Sequence, residues 1–513
     1  MLVKTIGASL FGMDAIGIQV EVNVSMGQGY CIVGLPDTAV KESLHRTEIA
    51  IKANGFQMPR TKLVINLAPA DIKKTGPAFD LPIAIGILAA SDQIVNSTVL
   101  TDYLMMGELS LNGALQPIKG VLAMAIYAKE AGLAGLIIPT INAAEASLIE
   151  GLKVFAFDHL TEVTHFCNHP ASSSPFEKNV TDRETQITYP VDFAFIKGQF
   201  QAKRAIEIAA AGGHNLIMIG PPGSGKTLLA KTSISILPQM SHSETLETSK
   251  VYSLLGKLST KAGLMQTRPF RNPHHSLSAI ALVGGGSIPQ PGEISMAHNG
   301  VLFLDELPEF SRAAIEILRQ PMEAGFVSIS RSRQTIEFPS RFMLFASMNP
   351  CPCGYFNHPQ KACTCSPSSV VKYLHKISGP LLDRIDLQIE VVPVTYEELS
   401  NHTMTESSLT IRKRVQNARA IQLKRYAKRI GINTNAQMES YELKEWAQLD
   451  DGSAKILKMA MDQFHLSARA YDRIIKVART LADLDGSKDI QNQHISESIQ
   501  YRILDRAGWG QAY

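Results

Sequence analysis

The sequence offers no apolar run long enough to cross a membrane, which takes about 18 residues. Its longest candidate, Leu81 to Ala90, is interrupted by Pro82 and Gly86. The N-terminal segment does not read as a leader peptide either. Lys4 is its one early base, Asp14 breaks the apolar stretch, and no small-residue cleavage site follows. No membrane association and a cytoplasmic location are therefore expected. An excess of charge of one sign is also missing: Lys and Arg total 50 against 47 Asp and Glu, a net charge of +3. Any footprint for nucleic acid must then be local. Cysteine is scarce, six in 513 residues, which excludes a small disulfide-stapled scaffold. No internal repeat is present. What is there is ordinary for a protein with real cores, 45% hydrophobic and 19% charged, so global disorder and a collagen-like chain are excluded.

At about 150 residues per domain, the length suggests roughly three domains. Residues 1–167 alternate strand-like runs (CIVGLP, KLVINLAP) with helix-like ones (LPIAIGILAAS, VLAMAIYAKEAG) and read as one α/β domain. Residues 168–192 are polar, with three prolines and a serine run, and read as a linker; an ordered surface excursion is the alternative. Residues 193–395 alternate again. NLIMIG, VLFLDE and FMLFASMN are apolar strands bounded by polar or glycine turns. That pattern implies a parallel sheet covered by helices on both faces. Residues 396–513 read as a separate, almost wholly helical domain.

Gly220, Pro221, Pro222, Gly223, Ser224, Gly225, Lys226 and Thr227 match the phosphate-loop pattern G-x-x-x-x-G-K-[ST]. The motif follows a strand and precedes a helix, the context its mechanism needs. Glycines let backbone N–H groups turn inward around phosphates. Lys226 is expected to reach the β- and γ-phosphates and Thr227 to ligate Mg²⁺. Val301 to Glu306 supplies the second half, four apolar residues and then two acids at the carboxyl end of a strand, where ligands bind in such sheets. Asp305 is expected to hold the Mg²⁺, and Glu306 to polarise the attacking water as general base.

Together the two motifs resemble AAA+ ATPases, which implies ATP and Mg²⁺ as cofactors. The resemblance makes Asn349, after the strand Phe342 to Met348, the sensor-1 residue that orients the lytic water. Ser378 to Asp386 resembles the arginine-finger segment of the Mg-chelatase and MCM-like branch. There Arg384 would stabilise charge on the γ-phosphate of a neighbouring subunit's ATP. An ion pair of Arg384 with Asp383 or Asp386 is the alternative. Arg469 falls where the sensor-2 arginine of that branch lies, with Arg473 its competitor.

The stretch between Lys226 and Asp305 is longer than a strand-helix-strand unit needs. It contains PHHSLSAIALVGGGSIPQPGEIS, which resembles the helix-2 insert of MCM-like ATPases. After a helix expected at 311–323, VSISRSRQTIEF alternates Val327, Ile329, Ile336 and Phe338 across a turn with Arg331 and Arg333. This reads as a hairpin with a basic tip and resembles the pre-sensor-1 hairpin. Arg331 and Arg333 are then the expected DNA contacts in the pore of a ring; an ordinary exposed hairpin is the alternative. Ile411 to Gly431 holds eight basic residues and no acid, with Ile411, Val415, Ala418 and Ile421 at helical spacing. Its basic face suits either a nucleic-acid backbone or plain solvation.

GGHNLIMIGPPGSGKT, EISMAHNGVLFLDELPEF, SMNPCPCGY and SGPLLDRIDL together resemble the ComM and YifB group of Mg-chelatase-like AAA+ proteins. The resemblance covers the whole chain. It implies an N-terminal Lon-protease-like α/β domain, an AAA+ P-loop α/β core with a parallel sheet, and a C-terminal helical lid. It implies a cytoplasmic, bacterial, ring-shaped DNA helicase, a homo-oligomer and most simply a hexamer. Such a ring acts on single-stranded and branched DNA, beside recombination proteins, and drives branch migration while transforming DNA is integrated. A metal-chelatase ATPase subunit and an ATP-dependent remodelling factor for protein partners are the alternatives.

The stretches Lys74-Thr-Gly-Pro-Ala78 and Gly107 to Ile118 resemble the Lon-type protease fold. The nucleophile's position is Ala78, and the general-base lysine would fall near Leu122. Without either, the Ser-Lys mechanism is impossible. Cys351, Cys353, Cys363 and Cys365 form C-x-C-x9-C-x-C. Four thiolates suit a tetrahedral structural Zn²⁺, although one-residue spacings are tighter than the usual two to four. A loop of buried or free thiols is the alternative.

Overall fold

Apolar residues at every second position from Ile16 to Val24 mark one strand of a hairpin. Strands β1 (Leu2–Phe11) and β2 (Asp14–Ser25) pair antiparallel, with Leu2 opposite Asn23 and Phe11 opposite Asp14. Ile18, Val20 and Val22 face inward at the strand period. Gly12, at φ +60°, supplies the left-handed residue that so short a connection needs. The computed structural model describes residues 2–504 except 97–98, 178–188, 190, 259–262, 287–288, 332–333, 357, 359–360, 395–397, 399, 401–404, 430 and 503.

The hairpin forms the middle of a seven-stranded mixed sheet. Its other strands are β3 (Tyr30–Val33), β4 (Lys62–Ala68), β5 (Tyr103–Met105), β8 (Gly135–Pro139) and β9 (Val154–Phe157), in the order β3-β4-β2-β1-β5-β8-β9. Short β6 (Glu108–Leu109) and β7 (Leu115–Gln116) pair separately. The helix Asp80–Ala90 is buried along its whole length. Its Ile83, Ile85, Ile87 and Leu88 each contribute about 2 kcal/mol of burial. Gly86 is required here, since a Cβ would stand 2.6 Å from Val22 Cγ2. The residues that interrupt the apolar run thus mark a central core helix.

The chain forms two compact units. The first gathers residues 1–185, 242–265 and 330–337; the second gathers 186–241, 266–329 and 338–513. Two excursions from the middle of the sequence therefore complete the first unit. One carries the helix His242–Leu254, where Ser253 hydrogen-bonds to the buried Glu145 and Lys250 pairs with Asp14 at 2.8 Å. Glu145 also accepts the Leu122 backbone N–H at 3.1 Å. The other brings Ile336 against the Gly12 turn.

In the second unit five parallel strands lie in the order β11-β14-β17-β10-β18. They are β10 (Leu216–Ile219), β11 (Phe270–Arg271), β14 (Val301–Leu304), β17 (Met343–Met348) and β18 (Leu387–Glu390). β10, β14 and β17 are wholly buried, as strands covered on both faces must be. The order reverses at β10, which has β17 on one side and β18 on the other. Ligands bind at such a switch point, outside the carboxyl ends of the strands. The small pair β12 (Gly284–Gly285) and β13 (Gln290–Pro291) follows the helix Ala279–Val283. The pair β15 (Phe326–Arg331) and β16 (Gln334–Pro339) precedes β17.

The helix expected at 311–323 is two short ones, Arg312–Glu316 and Arg319–Ala324. Pro321 has no N–H to offer the Ile317 carbonyl, and its ring crowds that carbonyl. The C-terminal region is helical: Ser408–Arg425, Ser440–Trp446, Asp451–Phe464, Ala468–Leu484 and Asn492–Gln500. Among the described residues no helix is long and apolar enough to cross a membrane.

Candidate functional site

Strand register assembles the site. β10 and β17 pair with Ile219 beside Met348, so the next residues, Gly220 and Asn349, leave the sheet together. β14 and β17 pair with Leu304 beside Ala346, which sets Asp305 next to Ser347. Gly220 passes Val391 so closely that a Cβ would stand 2.2 Å from its carbonyl oxygen. Gly223 and Gly225 have φ of +79° and +90°, a region costly for other residues, and nothing lies within 4 Å of where their Cβ atoms would stand. The loop is thus an open backbone cradle. The Ser224 hydroxyl is buried beside it without a hydrogen-bond partner. These features fit a phosphate chain.

Lys226 is buried at the floor. Its Nζ donates to the carbonyls of Gly220 and Pro221 at 2.7 and 2.9 Å and to Asn349 Oδ1 at 3.4 Å. Burial pushes its pKa down to about 8, against the pull of Asp305 and Glu306. Thr227 Oγ1 donates to Asp305 Oδ2 at 2.7 Å, and Ser347 donates to the other oxygen of that carboxylate. A hydroxyl beside a carboxylate is the donor set Mg²⁺ uses when phosphates and waters complete its shell. Glu306 takes a left-handed backbone, φ +53°, and its N–H donates to Ser347 Oγ at 3.2 Å. Its exposed carboxylate lies 3.8 Å from His275 Nδ1, and the His275 ring packs on His274.

Lys226, Thr227, Asp305, Glu306 and Asn349 therefore form one cluster. Arg384 and Arg469 sit in separate ion pairs. Arg384 is buried and donates to the Pro380 carbonyl at 2.6 Å and to Glu323. Arg469 is 65% exposed and pairs with Asp383 at 3.0 Å. Its competitor Arg473 is bound 2.9 Å from the fully buried Asp386, which also accepts the Asn215 N–H at 3.0 Å and has His214 at 3.4 Å. Burial works to raise the Asp386 carboxyl, but Arg473 and His214 overcome it and hold it below the usual range. Arg473 is thus a structural partner, and Arg469 is the more exposed of the two. Arg333 and the Arg331 side chain lie outside the described residues.

Sequence reasoning missed Ser347 and His275. The signal for Ser347 is the register of β14 on β17, which spacing along the chain does not reveal. The basic helix Ser408–Arg425 spends its guanidinium groups internally. Arg414 pairs with Glu207 at 2.6 Å, Arg425 with Asp483 at 2.5 Å, and Arg412 and Arg419 bind the carbonyls of Ser235 and Ala210.

In the first unit Ala78 offers only its carbonyl, to the Gly107 N–H at 2.9 Å, and Leu122 is fully buried. Neither a nucleophile nor a base stands at those positions. The sulfurs of Cys351, Cys353, Cys363 and Cys365 all lie within 4.8 Å of one another.

Three family descriptions match successive parts of the chain: subunit ChlI of Mg-chelatase over residues 20–142, magnesium chelatase, subunit ChlI, over 192–399, and its C-terminal part over 405–502. The protein YifB of Salmonella typhimurium is 44% identical over 497 residues, 96% of both chains. YifB of Escherichia coli K12 is 44% identical over 499 residues, again 96% of both. The competence protein ComM of Haemophilus influenzae is 43% identical over 501 residues, 96% of both. With a parallel-sheet phosphate-loop core and near full-length similarity, the chain belongs to the ComM and YifB family of magnesium-chelatase-like AAA+ proteins.

Proposed function

We propose that the protein is an ATP-driven, ring-forming DNA translocase that promotes branch migration as transforming DNA is integrated by homologous recombination. The observation that carries the ATPase half is the cluster of Lys226, Thr227, Asp305 and Asn349 around an open glycine cradle. The DNA half is supported by similarity to a protein named for competence. Single-stranded and branched DNA are then the substrates, recombination proteins the expected partners, and the cytoplasm the site of action.

In this reading the Lys226 ammonium exchanges its carbonyl contacts for the β- and γ-phosphates. Thr227 and Asp305 would hold Mg²⁺, which would neutralise charge at the phosphates. Ser347 fixes the Asp305 carboxylate. Glu306 takes a proton from the attacking water, which Asn349 orients. His275 steadies Glu306 from the insert side. Arg384 acts across a subunit boundary, most simply in a hexamer. To do so it would give up its contacts with Glu323 and the Pro380 carbonyl. Arg469 acts from the helical lid and releases Asp383 by the same logic. Arg331 and Arg333 contact the strand being moved.

Lys226→Ala tests the ATP site. ATP turnover should fall by about 100-fold or more while the far-ultraviolet circular dichroism is unchanged. Turnover at the native rate in that variant contradicts the assignment.

A further inference from the structure

The backbone that carries Arg384 is pinned at three successive residues, Arg384, Ile385 and Asp386. Asn215 Nδ2 donates to the Arg384 carbonyl at 3.0 Å. Arg502 donates to the Ile385 carbonyl at 2.6 Å. The Asp386 N–H donates to the Asn215 carbonyl at 3.1 Å, and the Asp386 carboxylate accepts the Asn215 N–H at 3.0 Å. Asn215 thus meets this segment with its side chain, its N–H and its carbonyl. The other end of its amide faces the sheet, where Asn215 Oδ1 accepts the Leu344 N–H of β17 at 2.8 Å. A carbonyl on one side and an N–H on the other leave that amide a single orientation.

Asn215 therefore joins Arg384 to the two strands that carry the nucleotide site of the same subunit. The residue after it, Leu216, opens β10, which runs into the phosphate loop, and β17 runs through Ser347 to Asn349. Both functions of the amide are used. An aspartate would keep the acceptor for Leu344 and lose the donor for the Arg384 carbonyl. The Arg384 guanidinium itself is incompletely satisfied. Nη1 donates to the Pro380 carbonyl at 2.6 Å and Nη2 to Glu323, while Nε is buried with no hydrogen-bond partner among the described residues. A buried donor is costly to leave unmade, and a phosphate oxygen would satisfy it.

We propose that Asn215 is a positioning residue: through the Arg384 carbonyl it fixes the arginine in register with the strands of its own subunit, so that the guanidinium meets the γ-phosphate bound by the next. This role rests on the action of Arg384 across a subunit boundary proposed above. The side chain swings from a backbone that Asn215 holds, and a displacement of about 1 Å at a reacting centre can cost about 100-fold in rate.

The test uses full-length Asn215→Asp, which deletes the bond to Arg384 and keeps the one to Leu344. Circular dichroism should be native and kcat for ATP should fall about tenfold. KM should change less than about threefold, because the variant's own phosphate loop is intact. Asn215→Ser, which adds no charge beside Asp386, repeats the test should the aspartate disturb the fold. Subunit mixing then shows where the defect acts. Asn215→Asp subunits bring a sound phosphate loop and Lys226→Ala subunits a sound Arg384, so mixed rings contain intact interfaces. Their turnover should rise about threefold above the sum of the two preparations alone. Arg384→Ala mixed with Lys226→Ala is the calibration and should recover likewise. An unchanged kcat in Asn215→Asp overturns the proposal. So does a defect that Lys226→Ala subunits leave uncorrected while they rescue Arg384→Ala, since Asn215 would then serve its own phosphate loop or the fold. Arg384→Ala left unrescued would refute the action of Arg384 across subunits, and the role of Asn215 with it.

Discussion

At the residue scale, the molecule separates an arginine paired inside the fold from one paired at the surface. Arg473 sits 2.9 Å from a carboxylate with no exposure, and Arg469 pairs on the surface. Asp386→Asn would leave Arg473 facing a neutral amide in a buried site, a loss of about 3 kcal/mol by urea unfolding. The sign with pH follows from the lowered carboxyl pKa. A group held below its ordinary value of 3.8 keeps its full stabilisation above that pH and loses it only on acidification through the folded value. The gap between wild type and variant should therefore not narrow between pH 7 and pH 5. It should narrow only below about pH 4, and a gap that stays constant there would mean that Asp386 titrates at its ordinary value. Lys226, Thr227, Asp305 and Glu306 were legible in the sequence because one loop and one strand end carry them at fixed spacing. Ser347 and His275 were not. Each meets its partner across strands or inserts far apart in sequence, and register, not spacing, brings them together.

At the scale of elements, apolar strands announced themselves wherever both faces are buried, as in β10, β14 and β17. The hairpin of β1 and β2 went unread, although Ile18, Val20 and Val22 carry its period. The break at Pro321 was visible in principle but was outweighed by the helical pattern on either side. Least legible were the two excursions, 242–265 and 330–337, which leave the phosphate-loop half of the sequence to complete the first unit. Nothing in their composition reports where they dock; Ser253 finds Glu145, and Ile336 finds the turn at Gly12, only through tertiary packing. The basic turn between β15 and β16 is the proposed strand contact. Arg331→Ala with Arg333→Ala should cut DNA displacement about tenfold while basal ATP turnover stays within about twofold. Equal loss of both activities would argue against a role on DNA and for one in folding or nucleotide binding.

At the scale of the whole molecule, a mixed-sheet unit and a phosphate-loop unit share one chain. Ala78 and Leu122 leave the first unit without the residues of a Ser-Lys pair at those positions. Near full-length similarity to YifB and ComM carries the family. Net charge, close to balance, carries nothing about DNA, because any basic surface is local. The central claim is that ATP hydrolysis at the Lys226 site moves DNA strands. Its most direct test is ATP-dependent branch migration on a labelled three-strand DNA junction, with the intact protein beside Lys226→Ala. The expected result is strand displacement by the intact protein that requires ATP and is absent in the variant. An intact protein that hydrolyses ATP and forms rings, yet displaces no strand, would contradict the account and turn attention to protein or tetrapyrrole partners.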